Sequence, residues 1–305
     1  MSSNSSRDWN CSHLIVDVKT TPVVGLQIDE SYPMSGAIAQ LSREGSADAR
    51  KVVDDETPGS GQNRVESQAY GLMPSLDFDG DYGRTYKSNI RDSVPGYDTL
   101  HEIGLAAVRM TSSQSLKALV VGPGPGENMP SLLEACPKAR FTLLEPSEQM
   151  LAFCKKSIDG VDGMHRCQFQ QNGLMEACKT SLKQAIFDLV ICHNVLHLFN
   201  GDQQTKMLHQ LAALTGIGGT LLLSAFSEPE KSSATERFLA LGGQRLKDRG
   251  LTEEQVSTLL ASRNQVVFSV DEARVRTALG AADMASPLQL YQALFAKLWL
   301  IQRPN

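Results

Sequence analysis

The chain has 305 residues, 41% of them hydrophobic and 21% charged, with a formal net charge of −5, enough for one large domain or two small ones. No apolar run approaches the roughly 18 residues of a membrane span, and the opening MSSNSSRDWNCSHL lacks an apolar stretch of leader length, so a cytoplasmic protein with no membrane partner is expected. The mild acidity argues against nucleic acid as a partner, and six cysteines without a CxxC pair read as free thiols rather than a disulfide framework or a zinc site.

Residues 1–84 form a polar arm, rich in Ser, Asn, Asp, Gly and Gln, with linker chemistry at ETPGSGQN (56–63). Its β-branched pieces, Leu14–Val18 and Val23–Ile28, flank Thr20-Thr21-Pro22 and read as two short strands or as a peptide packing on a neighbour. The arm is expected to be partly disordered, or a lid or dimer element, ahead of one domain over 85–305.

Within that domain a helix starts at Asp98 and runs to Met110. Leu116–Val121 is a buried strand ending in glycines. Asn128-Met129-Pro130 opens a helix with an N-cap and an early proline. A second strand, Arg140–Leu144, closes at Glu145-Pro146, and Ser147 caps a helix that turns Met150, Leu151, Cys154 and Ile158 inward. Strands follow at Arg166–Gln170, Phe187–Cys192 and Thr220–Ser224, with an amphipathic helix over Asp202–Leu214. Strands alternating with helices at this spacing predict an α/β, doubly wound, mostly parallel sheet with helices on both faces. Further helices are expected over 234–249, 252–262, where Thr252 and Glu254-Gln255 approach a capping box, and 270–279. They make a helical insertion before the last strands and offer a lid or a homodimer surface. Leu288–Gln302 reads either as one helix or as two strands.

The loop Gly122-Pro123-Gly124-Pro125-Gly126-Glu127-Asn128 lies between the first strand and its crossover helix. Its glycines permit a tight turn and close approach of a ligand. The pattern GxGxGxN departs from the dinucleotide fingerprint, its prolines remove amide donors that a pyrophosphate needs, and no Gly-Lys-Ser/Thr follows. A nucleoside without phosphates suits it better. Glu145, at the carboxyl end of strand two, can accept hydrogen bonds from both ribose hydroxyls, or simply favour the following helix dipole.

Taken in order, VVGPGPGEN (120–128), LLEPSEQM (143–150), FDLVICHNVLHLF (187–199) and GIGGTLLLS (216–224) resemble the class I S-adenosylmethionine-dependent methyltransferases. The resemblance implies S-adenosyl-L-methionine as cofactor, with Gly122, Pro123 and Gly124 under its amino-acid end. It puts Glu145 and Pro146 at the ribose, and Asn172 and Gly173 facing the adenine. Asn172 stands where that family usually has an Asp. The segment IRDSVPGYDTLHEI (90–103) is similar, more narrowly, to carboxy-S-adenosylmethionine synthases and allied tRNA-wobble or small-molecule methyltransferases, in which the tyrosine matching Tyr97 touches the cofactor. Tyr97 reads equally as an aromatic packed beside a turn. His193 falls where those synthases carry a cofactor-contacting Asn. The arginine that holds their extra carboxylate matches Lys247, and lysine is no geometric substitute for a bidentate arginine.

His193 and His197 follow strand four, where ligands of open parallel sheets sit. A helical turn over 194–199 would put both rings on one side, as bases toward a hydroxyl, amine or acidic carbon, or as packing and cofactor-shell groups. No Asp, Glu or Cys completes a ligand set beside them, so no metal is expected. Phe226, Ser227 and Glu228 follow strand five toward an acceptor pocket, while Arg245, Lys247 and Arg249 read as a solvated face. The expectation is methyl transfer to a small-molecule acceptor. The alternatives are a synthase-like or tRNA-modifying enzyme, and a fold that binds cofactor without catalysis.

Overall fold

The computed structural model describes residues 76–111, 116–229 and 232–305; the strand-like pieces at 14–28 and Cys11 lie outside them. Seven strands, β1 (Lys117–Val121), β2 (Arg140–Leu144), β3 (Cys167–Gln170), β4 (Phe187–His193), β5 (Thr215–Phe226), β6 (Leu288–Ala293) and β7 (Ala296–Gln302), form one sheet in the order β3-β2-β1-β4-β5-β7-β6. β1 to β5 pair in parallel, while β7 runs antiparallel to both β5 and β6. The doubly wound sheet is therefore as expected. The open alternative at 288–302 resolves into a hairpin, turned at Leu294 with φ 50° and Phe295.

Burial on both faces explains why the central strands read as continuous apolar runs. Leu119, Val121, Val190, Cys192, Leu221 and Leu223 point to one side, against α5 (Leu174–Ala177), α6 (Gly201–Leu214) and α9 (Glu272–Gly280). Ala118, Val120, Phe141, Leu143, Leu189 and Ile191 point to the other, against α2 (Tyr97–Thr111), α3 (Met129–Ala135) and α4 (Glu148–Ser157). Alternation along each strand thus feeds two cores. The cysteines among these residues are free thiols, with Cys136, Cys154 and Cys192 inside the cores.

Local signals set most helix ends. Ser147 accepts from Met150 N–H at 3.0 Å, and Asn200 with Gln203 closes a capping box on α6. Thr252 with Gln255 does the same for α8 (Glu253–Ala261). Asn128 corrects the expected N-cap: Pro130 does sit in the first turn of α3, but the Asn128 side chain makes no cap bond and goes to Tyr97 instead.

α1 (Asp81–Ser93) has no counterpart in the sequence reading and crosses the expected boundary at 84/85. It packs by Ile90 and by an aromatic set in which Phe78 meets Tyr82 edge-on at 5.2 Å. The chain before it is pinned to the start of α4: the Phe78 and Gly80 carbonyls accept from Gln149 Nε2 at 2.9 and 3.0 Å, and the Asp79 carboxylate takes Ser147 Oγ at 2.7 Å. Residues 76–84 therefore belong to the folded domain. α7 (Ser232–Asp248) and α8 are the insertion expected before the final strands.

Candidate active site

The strand order reverses at β1, with β2 and β3 on one side and β4 and β5 on the other, which opens a crevice at the carboxyl ends of β1 and β4. The glycine loop leaves β1 here with φ of +65°, +56° and +72° at Gly122, Gly124 and Gly126, a region costly for any residue with a Cβ. Gly122 N–H donates to the Leu144 carbonyl at 2.8 Å, tying the loop to β2. A Cβ on Gly122 would stand 2.4 Å from Val195 Cγ2, and one on Gly126 would stand 2.9 Å from the Cα of Cys154, whereas one on Gly124 would meet nothing within 4 Å among the described residues. Gly124 thus borders open space, with backbone exposed toward it.

Glu145 is buried at the end of β2. Its carboxylate accepts from Gly124 N–H and from Ser147 N–H, each at 3.1 Å. Desolvation pushes its pKa up; the two backbone donors oppose that. A carboxylate oxygen can take more than one donor, so acceptor capacity remains beside the space at Gly124.

That space is a cavity of about 460 Å³. Gly122, Gly124, Glu145 and Pro146 line one end; His193, His197 and Phe226 lie along it; α1, α7 and α8 close it with Tyr82, Tyr86, Leu239, Leu246, Leu259 and Leu260. Tyr97 and Pro123 line a separate recess of about 50 Å³ behind the loop, together with Tyr86, Gly122, Gly124 and His193. Burial raises the Tyr97 pKa to about 12, with Glu127 adding to the rise. Asn172 and Gly173 follow β3, where Gly173 starts the short α5, and they line neither space. Of the expected cofactor residues, seven (Tyr97, Gly122, Pro123, Gly124, Glu145, Pro146 and His193) therefore converge around the loop, and two stand apart.

The turn after β4 differs from the helical one considered above. Asn194 has φ +57°, and a 3₁₀ turn of three residues follows at Leu196–Leu198. Both histidine rings still line the large cavity. His197 Nδ1 accepts from Phe226 N–H at 3.2 Å, so in the neutral ring the proton resides on Nε2. Desolvation lowers its pKa to about 4. His193 Nδ1 lies 3.1 Å from Ser224 Oγ, and its ring stands edge-on to His101 at 5.0 Å. Desolvation, then His101, holds its pKa well below the ordinary value. Neutral imidazoles are what this site contains at pH 7.

Phe226 reaches the cavity, but Ser227 is fully buried with no partner for its hydroxyl among the described residues, and Glu228 is paired to Arg263 at 2.7 Å. Of the basic face expected on α7, Lys247 and Arg249 are exposed as read, and Arg245 alone needs correcting. Arg245 lines the cavity and donates to the Arg91 carbonyl at 2.8 Å and to that of Asp92. Arg249 pairs with Asp92, and Lys247 with Glu253 outside the cavity wall. The aromatic wall from α1 was missed entirely, although Phe78, Tyr82, Tyr86 and Ile90 at steps of four residues were visible as one helical stripe.

Residues 118–219 match the methyltransferase domain family. The chain is 23% identical over 250 residues to a carboxy-S-adenosyl-L-methionine synthase of Pseudomonas fluorescens strain SBW25, covering 77% of this chain and 96% of that one. Among solved structures it is similar to magnesium protoporphyrin IX methyltransferase from Synechocystis PCC 6803 with bound SAH (TM-score 0.54, 18% identity, 74% of this chain and 97% of that one). It is similar also to an O-methyltransferase family protein from Burkholderia thailandensis (TM-score 0.51, 16% identity, 73% of this chain). The match spans 60% of the latter protein's length. At these identities the structural likeness speaks for the fold. Fold, glycine loop and the domain match over 118–219 together resemble the class I S-adenosylmethionine-dependent methyltransferases, enzymes whose cofactor is S-adenosyl-L-methionine. The residues present fit that cofactor, since the open space at Gly124 adjoins a buried carboxylate with acceptor capacity left.

Proposed function

We propose that the protein transfers a methyl group to an oxygen, nitrogen or carbon nucleophile of a small-molecule acceptor, chiefly by positioning. One observation supports this above the rest: the glycine loop and Glu145 open into the same cavity that His197, Phe226, α7 and α8 enclose. In this reading Gly122, Pro123, Gly124, Glu145 and Pro146 hold the cofactor, with Tyr97, His193, Asn172 and Gly173 around them and Glu145 on the ribose hydroxyls. S-adenosylmethionine, when bound, supplies an electrophilic methyl group on a sulfonium with a neutral leaving group. The chain's own work is to exclude water and align the acceptor, an effect that reaches about 7–11 kcal/mol in well-oriented systems.

His197 acts as a donor to the acceptor rather than as a base, because its unprotonated nitrogen is already taken by the Phe226 amide. His193 has the lower claim on substrate chemistry too: its Nε2 faces Gly104 of α2, 3.6 Å from where a Cβ would stand. Both rings then shape and polarise the pocket. A synthase reading is favoured by the similarity along nearly the whole of the Pseudomonas relative. It needs a cation free to meet an added carboxylate, and Lys247 and Arg245 are both engaged elsewhere.

Calorimetry with S-adenosylmethionine and S-adenosylhomocysteine tests the cofactor; silence with both would sink the proposal. Mass spectrometry of a cell extract incubated with the enzyme and an isotope-labelled donor is expected to reveal a labelled small molecule. Label confined to RNA would replace the acceptor class, and label in a carboxylated cofactor would select the synthase reading.

A further inference from the structure

Resting on the methyltransferase reading, we infer that the acceptor is a compact, uncharged, largely apolar molecule, and that Gly242 sets how large it can be. Beyond the cofactor end, the cavity walls come from Leu239, Leu246, Leu259, Leu260, Val266 and Phe295. Binding a charged molecule among such side chains requires an opposite charge to replace its water. Each charged side chain on these walls is already answered. Arg263 pairs with Glu228 at 2.7 Å, Asp92 pairs with Arg249 and also offsets part of the charge of Arg245, and Arg245 gives two of its five N–H donors to the carbonyls of Arg91 and Asp92. Glu145 is held by two backbone amides at the cofactor end. Recruiting Arg263, Asp92 or Glu145 for a charged acceptor would break a bond the folded chain already has, and the charge of Arg245 is shared with Asp92 beside it. A polar function that faces the acceptor is the Nε2–H of His197, a neutral donor that suits a hydroxyl, carbonyl or ether oxygen.

Gly242 lies in the middle of α7 on the stripe Leu239, Gly242, Leu246 that faces the cavity. A glycine inside a helix is unfavourable relative to alanine, so its presence calls for a reason in packing. Its neighbour Gly243 faces α8, where a Cβ would make ordinary contacts with Val256 and Leu260, both at 3.5 Å, and the two helices meet there. Gly242 has no such contact. A Cβ there would have Leu294 Cδ1 at 3.7 Å as its single non-local neighbour among the described residues, an ordinary contact, with cavity beyond. The missing side chain is therefore room for ligand rather than room for another helix.

The test uses the full chain saturated with S-adenosylhomocysteine and the neutral fluorescent probe N-phenyl-1-naphthylamine. The probe is expected to bind, and 1-naphthol to displace it at a concentration at least tenfold lower than 1-naphthoate, which carries the same rings and a negative charge. Gly242→Phe is expected to weaken the probe at least tenfold while S-adenosylhomocysteine affinity stays within twofold. Gly242→Ala covers the case in which the phenylalanine variant fails to fold: it should raise Tm through helix propensity yet weaken the probe about threefold. Equal displacement by naphthoate and naphthol overturns the inference, as does unchanged probe binding in whichever variant folds. Should S-adenosylhomocysteine itself not bind, the cofactor reading fails, and the same probe measurements on the free chain still decide the pocket.

Discussion

Glu145 is the side chain on which the cofactor assignment turns. Glu145→Ala removes a carboxylate that holds Gly124 N–H and Ser147 N–H at 3.1 Å each and, on the reading above, two ribose hydroxyls. Hydrogen bonds to a charged group contribute about 1.5–3 kcal/mol each. The carboxylate is buried and its pKa raised, so it carries a desolvation cost that takes the two ribose bonds to the lower end, ~3 kcal/mol together. That corresponds to roughly a 100-fold rise in Kd for S-adenosylhomocysteine. The free protein responds differently. Losing a poorly solvated charge offsets the two amides left without their acceptor, and Tm is expected to move little. Glu145→Gln keeps one acceptor oxygen but turns an NH₂ toward the other amide, so its affinity should fall between the two. Titration calorimetry of the three proteins checks this. Glu145→Ala binding within threefold of the unmodified chain would remove Glu145 from the ribose.

His197→Ala should lower kcat more than it raises the cofactor Kd, and the kcat of the unmodified enzyme should be flat from pH 5.5 to 8, since the ring stays neutral down to about pH 4; a kcat rising with a midpoint near 6.5 would restore the base role. Gly126→Ala forces a Cβ to within 2.9 Å of the Cys154 backbone at φ +72°, and should cost about 2–4 kcal/mol in urea denaturation; a loss below 1 kcal/mol would mean the loop shifts freely against α4. Acid should also unfold the protein early. His101 and His197 are lowered by burial from the ordinary 6.5 to about 4, so between those pH values the unfolded chain binds protons the folded chain refuses, and stability falls as pH falls. At 1.36 kcal/mol per pH unit, each contributes on the order of 3 kcal/mol by pH 4, and denaturation midpoints that stay constant from pH 7 to 4.5 would contradict the burial of both rings.

The parallel sheet was legible because its strands are buried on both faces and so read as bare apolar runs between capped helices. Ser147 and the Thr252–Gln255 pair marked their helices by local chemistry alone. The glycine loop and Glu145 were legible for a related reason: a backbone that must take positive φ at Gly122, Gly124 and Gly126 leaves its mark in composition. α1 was overlooked because its stripe is aromatic and tyrosine-rich, with charged residues between, and because it follows a polar stretch.

Chain order and local pattern thus determined the fold class, the loop that borders the cavity and the carboxylate beside it. Tertiary structure decided what spacing cannot carry. A helical count along 193–197 says nothing of the Phe226 amide, 29 residues away, that occupies His197 Nδ1 and makes that ring a donor. Likewise Arg245 of α7 looks solvated in sequence until it meets carbonyls more than 150 residues upstream. Protonation and charge availability depend on such distant partners, and those partners adjoin only once the sheet, α1 and α7 have packed.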